Sequence, residues 1–538
     1  MTGVVEAFER EGMRGWVGDA EAVSKRIDIK VNGVTIAAAV PVRPIVQQQA
    51  DNRYVFSRQL KELWKYLGVG DVVTVEYLGT PLPIMGHGLQ YVYEDRRRSR
   101  TAKLLNRINS GYVFNKYGRL HLSIQRNQKW QDAIFSAFAS VRADVKKHFQ
   151  YELFPIYGTM LGAVREGAFI GHDNDFDVVY ISRKVAPEDV KAEFFDICTF
   201  LIERGFNLKA RPTHTWVRLP GTRYKFDINF SWFSDDDEYQ LSYGYHGPPV
   251  TKSAAFFELE ERSISGHGVM LPRNCDRILN QIYGEGWRVP DPGFNHLSSS
   301  RKLSKVHLLD ASRIAALHWK QFYLRDDVDG ETLFAGFLAA RLKAPSLIID
   351  FGCGSGRDAI FFGRQGHTVL AADRAAEALR KVEEKRVRSE GAEISSLGFD
   401  AECPESVANV VTAALSRRSA DTKRPLVVYM RFFMHAITLA AQDVVLGVLR
   451  DLLPHDALLA LEFRTEKDQA TTKVFGTHYR RYIPMADMLH ALSSYGFAAH
   501  YQEESQGLSP FERGLKKEDP FLCRILACRR EAIATPSA

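Results

Sequence analysis

The chain has 538 residues, 45% hydrophobic and 25% charged, an ordinary globular composition that argues against a mostly disordered or fibrous protein and leaves room for three or four domains. Its 71 basic and 65 acidic residues leave a formal charge of +6, too weak to imply nucleic acid but compatible with anionic substrates or a peripheral membrane contact. No stretch reaches the ~18 apolar residues of a membrane-spanning helix. The opening MTGVVEAFEREG lacks the apolar core of a secretory signal, and the six scattered cysteines form no CxxC, which reads as a reduced, cytoplasmic compartment.

Residues 1–95 read as strands. Residues 26–31 (RIDIKV) alternate polar and apolar, Asn32-Gly33 supplies a type I′ hairpin turn, and residues 34–40 return. Residues 71–78 (DVVTVEYL) form another strand, and one short helix is expected over 57–66. The pattern predicts a small β-sandwich-like accessory module, either facing carbohydrate or serving as a structural cap. Residues 96–149 follow as a basic linker and an amphipathic helix. Arg96, Arg97, Arg98, Arg100, Lys103 and Arg107 read as a solvated face before a phosphate site. Trp130, Ile134, Phe138, Val141, Val145 and Phe149 recur at helical spacing and are expected to be core.

Residues 150–295 carry the densest chemistry. Asp175 and Asp177 stand two apart at the start of an apolar run, so in a strand both carboxylates point to one face. Asp227, in KFDINF, adds a third carboxylate on a second strand. Such mutual repulsion is relieved by a divalent cation, Mg²⁺ or Mn²⁺. Asp173, Asp175 and Asp177 also imitate a calcium loop, but Val178 stands where its glycine belongs and Lys184 where its terminal Glu belongs, which excludes an EF-hand. Gly158-Thr159 reads as a glycine-rich turn able to hold phosphates.

At these residues the sequence resembles the LicD/fukutin-like family. Gly158-Thr159-Met160-Leu161-Gly162-Ala163-Val164-Arg165 matches its GT-L-G-x-x-R stretch, and Asp173-Asn174-Asp175-Phe176-Asp177 its acidic strand. The resemblance implies an α+β nucleotidyltransferase-like fold and transfer of a phospho-substituent, phosphocholine or an alditol phosphate, from a CDP-linked donor to a glycan hydroxyl. It implies Asp175, Asp177 and Asp227 as metal ligands and Gly158, Thr159 and Arg165 as phosphate contacts. His172 stands where the family often has Trp, and Asn174 replaces a usual acid; these departures bear on the donor's identity. For His172 and Asp173 a supporting role is favoured over that of general base.

Residues 296–334 read as a helical connector, and strands then alternate with helices to residue 530. Residues 347–356 (LIIDFGCGSG) run an apolar strand into a glycine turn before a helix, and a second strand ends at Asp373. Arg357 replaces the third glycine of a dinucleotide fingerprint, which points away from NAD. The segment 335–530 resembles the class I S-adenosylmethionine-dependent methyltransferases. This implies an α/β Rossmann-like domain with a mostly parallel seven-stranded sheet. It implies that Asp350, Gly352, Gly354 and Gly356 line the methionine part of the cofactor, with Asp373 at ribose and Asp400 at adenine. Arg431, ending the strand LVVYM, and His435, one helical turn later, are candidates for acceptor binding and proton removal. Glu462-Phe463-Arg464 and His478-Tyr479-Arg480-Arg481 read as a further cationic, aromatic rim.

The expectation is therefore a multidomain, bifunctional enzyme of cell-surface glycan modification, acting on a glycan or lipid-linked glycan in the cytoplasm or at the inner membrane surface. The alternative is a glycan-binding scaffold with one or both catalytic domains inactive.

Overall fold

The computed structural model describes residues 3–18, 25–41, 43–44, 53–173, 175–252, 258–290, 305–325, 330–418, 424–471, 473–474, 479–513 and 516–529. The chain divides into two compact units, Met1–Leu309 and Asp310–Ala538.

Two small antiparallel sheets open the first unit. One orders Gly3–Phe8, Gly12–Val17, Tyr54–Gln59 and Arg43–Pro44; the other orders Val34–Ala39, Ile27–Val31, Val72–Tyr77 and Thr80–Pro81, with Tyr91–Val92 also on Val72–Tyr77. Asn32 and Gly33 take φ values of 49° and 80°, the left-handed pair a type I′ turn requires. Alternate residues Ile27, Ile29 and Val31 bury beside Val73, Val75 and Tyr77. The same core takes in Leu104, Phe114 and Leu120, so it reaches well past residue 95. The helix expected at 57–66 does not form. Tyr54–Gln59 is a strand, and only Leu63–Lys65 makes a short 3₁₀ turn. Phe56 and Arg58 point inward while Ser57 and Gln59 point outward, a period of two that overrides helical propensity. The basic run lies partly on a helix, Thr101–Asn109, where Arg107 donates to the Tyr66 hydroxyl; ahead of it Arg97 donates to the Trp64 carbonyl.

Helix Gln128–Phe149 follows, capped by the Asn127 side chain, which accepts from the Trp130 N–H. It buries Trp130, Ile134, Phe138, Val141 and Val145, as their spacing predicts, while Phe149, expected with them, is only half-buried at the last turn. It packs on a six-stranded mixed sheet ordered Phe154–Pro155, Asp177–Ile181, Lys225–Phe233, His214–Arg218 and Asn207–Ala210, with Tyr239–Leu241 also on Lys225–Phe233. Ring contacts join Phe135 and Phe138 of the helix to Phe176, and Phe176 to Phe226, just ahead of Asp177 and Asp227. The aromatic cluster therefore sets where those two aspartates begin.

The second unit holds a seven-stranded sheet ordered Ile394–Gly398, Thr368–Asp373, Leu347–Phe351, Leu426–Arg431, Leu458–Arg464, Leu522–Arg529 and Phe497–Ser505. The first five are parallel, and Leu522–Arg529 runs antiparallel to both its neighbours. Successive residues feed opposite faces: Leu347 and Ile349 join one core, Ile348 and Tyr429 the other. Burial on both faces is why these strands read as unbroken apolar runs. The strand order reverses between Leu347–Phe351 and Leu426–Arg431, which opens a crevice at their carboxyl ends. Helix Ala311–Arg325, from the segment expected as a connector, belongs to this unit; its Lys320 pairs with Glu377. All six cysteines are free, and no described helix is long and apolar enough to cross a membrane.

Candidate functional site

In the first unit, strands Asp177–Ile181 and Lys225–Phe233 are parallel neighbours whose register sets Asp177 beside Asp227. On its other side Asp227 stands opposite Trp216 in antiparallel register. The Asp227 carboxylate accepts from the Trp216 indole N–H at 3.1 Å and from Lys225 at 2.9 Å, and His214 Nε2 lies 3.7 Å away. Burial raises the pKa of both aspartates, and for Asp177 repulsion from Asp227, Asp175 and Asp173 adds to it. The Asp177 N–H donates to the Thr159 hydroxyl at 2.9 Å, tying helix Tyr157–Glu166 to the strand.

The convergence of Asp175 with Asp177 along one strand is corrected here. The strand begins at Asp177, and the carboxylate in register with it is Asp227. Asp175 precedes the strand and accepts from Lys116 Nζ at 2.8 Å, and Asp173 lies 3.8 Å from the same ammonium. Both carboxylates push the Lys116 pKa upward against the effect of burial. Asn174 lies outside the described residues.

The expected glycine-rich turn is also corrected. Gly158 and Thr159 form the first turn of a helix, and Thr159 is buried with its hydroxyl committed to Asp177. Gly158 approaches Asp173 closely: a Cβ there would lie 2.3 Å from an Asp173 carboxylate oxygen, so the carboxylate would have to move. Arg165 sits in the last turn, about 10 Å along the axis from Gly158, and pairs with Glu166 at 2.8 Å. Gly158 and Arg165 therefore mark opposite ends of one helix. His172 is driven down to about 3 by burial and by Arg58, Arg165, His121 and Lys116, so it stays neutral.

Among the described residues no group of three or more His, Cys, Asp or Glu is arranged to hold a metal ion. The donor chemistry, carboxylate oxygens held in mutual repulsion, nevertheless suits a hard cation such as Mg²⁺ or Mn²⁺. Sequence reasoning missed Lys116 and the shelf around Trp216, whose ring carries Lys225 at 4.3 Å, Arg211 at 4.7 Å and Lys209 at 5.6 Å. Lys225, two before Asp227 on one strand face, was a readable signal; Lys116 offered none.

In the second unit the glycine turn leaves strand Leu347–Phe351 with Gly352, Gly354 and Gly356 at φ of 72°, 56° and 76°. A Cβ at Gly354 would sit 2.7 Å from the Tyr323 hydroxyl, and one at Gly352 would sit 2.8 Å from the Phe433 ring. Both the backbone angle and the space demand glycine. Asp373 accepts from the Gly354 N–H and the Ala375 N–H, each at 2.9 Å, which holds the turn against the second strand. Asp350 is buried with one carboxylate oxygen lacking any hydrogen-bond partner. Burial first, then Asp358 and Asp373, push its pKa well up. Such an orphaned acceptor beside a glycine cradle fits a ligand bearing an ammonium group. Asp400 lies past strand Ile394–Gly398, 40% exposed and 3.5 Å from Arg374. Tyr323, on the helix expected as a connector, was missed.

The roles expected of His435 and Arg431 are corrected. His435 is 3% exposed, and its Nδ1 accepts from the Arg464 N–H at 3.1 Å. A neutral imidazole that accepts at Nδ1 carries its proton on Nε2, so no basic nitrogen remains for a substrate. Burial and the charges of Arg464, Arg480, Arg431 and Arg481 hold its pKa well below the usual value. Arg431 lies against the fully buried Glu462 at 3.2 Å, and Glu462 also accepts from Arg524 at 2.8 Å. Arg431 is thus part of an internal charge network. Arg481 donates to the Gln442 side chain, and its N–H donates to the His435 carbonyl at 2.8 Å, a packing role in place of a rim. His478 lies outside the described residues.

Comparison with known proteins finds that residues 150–274 match the family described as LicD/FKTN/FKRP, nucleotidyltransferase domain. Residues 322–409 match the family described as tellurite resistance protein TehB. No curated protein matches the chain. Among solved structures, a SAM-dependent methyltransferase from Anabaena variabilis is 17% identical, with a TM-score of 0.31 over 40% of this chain and 93% of that one. A TehB-like SAM-dependent methyltransferase from Corynebacterium glutamicum is 16% identical, with a TM-score of 0.26 over 40% of this chain and 96% of that one.

Proposed function

We propose that this enzyme, with its LicD-type nucleotidyltransferase domain and its TehB-like methyltransferase domain, performs two transfers on one cell-surface glycan intermediate. In the first, a glycan hydroxyl attacks the phosphorus that bears the transferred group of a CDP-linked donor. The bond to the cytidylyl phosphate breaks, CMP leaves, and the hydroxyl proton passes to solvent or a base. The transferred group is of the phosphocholine or alditol-phosphate type. Asp177 and Asp227, with Asp175 beside them, would hold Mg²⁺ or Mn²⁺, which when bound neutralises charge on the phosphates. Thr159 keeps Asp177 in place through the 2.9 Å bond to its N–H, and Trp216 does the same for the Asp227 carboxylate.

In the second transfer an oxygen or nitrogen of the glycan, or of the group just added, takes the methyl of S-adenosylmethionine. Asp350 would meet the cofactor's ammonium, the turn of Gly352, Gly354 and Gly356 its methionine chain, Asp373 its ribose and Asp400 its adenine. The organisation that goes with this reading has an accessory module over 1–95 whose core extends to Leu120, a basic stretch and helix over 96–149, the phosphotransferase over 150–295, a connector over 296–334 whose helix Ala311–Arg325 joins the second unit, and the methyltransferase over 335–530. The acceptor is a glycan or lipid-linked glycan met in the cytoplasm or at the inner membrane surface.

The observation that carries the first half is the register of Asp177 with Asp227, which concentrates carboxylates at one point of the sheet. Titration of the full chain with CDP plus Mg²⁺, and separately with S-adenosylmethionine, tests both halves. Binding of each supports the reading, and a scaffold with inactive sites binds neither. Mass spectrometry of the host's surface glycan with and without the protein then identifies both added groups.

A further inference from the structure

Residues 112–125 lie outside the segment that matches the LicD family, yet they form one wall of its carboxylate cluster. Strands Tyr112–Phe114 and Leu120–Leu122 pair as a hairpin with Lys116 in its loop. The loop is rigidly built. The Asn115 side chain accepts from the N–H groups of Tyr117 and Arg119, each at 3.0 Å. The Arg58 guanidinium donates to the Phe114 carbonyl, and the Glu62 carboxylate accepts from the Leu120 N–H at 2.9 Å. At Gly118, where φ is 69°, a Cβ would lie 2.4 Å from the Lys61 backbone nitrogen, so the loop sits directly on the accessory module.

The same segment is laced to the acidic stretch. Gln125 donates to the Phe169 carbonyl at 2.6 Å, and Gly171 lies so close that a Cβ there would sit 2.8 Å from the Ser123 hydroxyl. Lys116 extends from this frame to Asp175 at 2.8 Å and Asp173 at 3.8 Å, with 38% of its side chain exposed. An ammonium has three N–H donors, and of the two carboxylates only Asp175 stands within hydrogen-bond distance, at 2.8 Å. The cluster gathers Asp173, Asp175, Asp177 and Asp227 against Lys116 and Lys225. An incoming diphosphate adds further negative charge to a place already rich in it, so a preorganised cation that can be reached from solvent is what such a ligand needs.

We propose that Lys116 is a diphosphate-binding residue of the carboxylate site, supplied by the hairpin of residues 112–122 that packs on the accessory module. The inference rests on the phosphotransfer reading above. In the free protein the ammonium donates to Asp175 and lies beside Asp173; with ligand bound it also donates to a phosphate oxygen. The accessory module is then a structural part of the transferase, and residues 150–274 without it are an incomplete site.

The test is calorimetry of the full chain with cytidine 5′-diphosphate in the presence of Mn²⁺, for wild type, Lys116→Met, Lys116→Gln and Lys116→Arg. Loss of a charged donor predicts affinity about 10–100-fold weaker for Met and Gln, and for Arg within about threefold of wild type. S-adenosylmethionine affinity and the melting temperature are read on the same samples; the first is expected to be unchanged, and the second to fall in Lys116→Met and Lys116→Gln, which leave Asp173 and Asp175 without their cation. Lys116→Gln, which keeps a donor toward Asp175, supplies a folded comparison if Lys116→Met is unstable. Wild-type affinity in Lys116→Gln or Lys116→Met overturns the role of Lys116 and leaves the phosphotransfer reading standing. Equal weakening in all three folded variants overturns it too, because charge is then irrelevant. Failure of the wild type to bind overturns the donor reading, and this inference with it.

Discussion

The two candidate sites compensate buried negative charge in opposite ways. In the first unit the charges of three of the four aspartates are met by side chains: Lys116 beside Asp173 and Asp175, Lys225 and the Trp216 indole beside Asp227. In the second unit Asp373 is met by two backbone N–H groups, and Asp350 keeps an oxygen with no partner at all. Side-chain cations are few against four carboxylates, so the first site remains short of positive charge and suits a divalent cation with a phosphorylated ligand. Backbone donors are fixed by the fold, so the second site is preorganised and lacks only a ligand that brings its own positive charge.

The largest effect that would break this comparison is at Asp177. Asp177→Asn and Asp227→Asn are each expected to lower phosphotransfer by about 10²–10³-fold, the scale of losing one preorganised electrostatic group. Methyl transfer should be unchanged, since the two aspartates and the glycine turn belong to different compact units. With divalent ions chelated, Asp177→Asn should also raise the melting temperature, because it removes a buried like-charge contact with Asp227. Calorimetric melting with and without Mn²⁺ checks the sign, and a lower melting temperature under chelation would mean that the repulsion is already relieved.

Next in size are changes to the backbone-built site. Gly354→Val forces a branched side chain into a φ of 56° and against the Tyr323 hydroxyl, and should abolish measurable S-adenosylmethionine binding. Asp373→Ala should cost roughly 1–3 kcal/mol of cofactor affinity and also loosen the turn, because the Gly354 and Ala375 N–H groups lose their acceptor. Calorimetry with S-adenosylmethionine reads both, and unchanged affinity in the two variants would remove the turn from the cofactor site.

A smaller effect separates packing from chemistry at His435. Its folded pKa lies well below the usual value, so below about pH 6.5 the unfolded chain binds more protons than the folded one. The contribution of this residue is therefore full above about pH 6.5 and is lost as pH falls toward the depressed folded value. His435→Asn, whose amide oxygen can still accept from the Arg464 N–H, should flatten the acid side of the stability profile. Its methyl-transfer rate should stay within about threefold of wild type, far from the ~10²-fold loss of a general base. A large rate loss with an acid limb near 6.5 would restore the proton-removing role.

The smallest expected change is Trp216→Phe, which keeps a ring under Lys225 and Arg211 but removes the indole N–H from Asp227. A loss of about 0.5–1.5 kcal/mol in transition-state stabilisation, under about 15-fold in kcat/KM, is expected from one hydrogen bond. Steady-state kinetics of phosphotransfer measures it.

How legible each site is in the sequence follows from the same contrast. The glycine turn and Asp373 are joined across 19 positions, within one strand–turn–helix–strand passage, so glycine spacing and an acid at a strand end suffice to read them. The acidic residues were legible as types, and Asp227 was legible as a third carboxylate. Their neighbours were not, since Lys116 reaches Asp175 across 59 positions from a different sheet system. His435 and Arg431 were misread because strand-end position says where a side chain starts and nothing of its partners. The Arg464 N–H that engages His435 and the Glu462 carboxylate 3.2 Å from Arg431 come from a neighbouring strand.

By itself, then, the sequence determined what depends on the chain's own backbone: strand alternation at 26–40, the stripe of helix Gln128–Phe149, and a glycine turn that tolerates no Cβ. These are local because φ, ψ and side-chain period are set by adjacent residues. Tertiary structure alone decided that residues 54–59 are strand, that Asp177 registers with Asp227, that Lys116 faces Asp175, and that His435 has no nitrogen to spare. Each of these is a contact between segments far apart in sequence. Its free energy depends on the burial and charge of whichever groups the fold brings together.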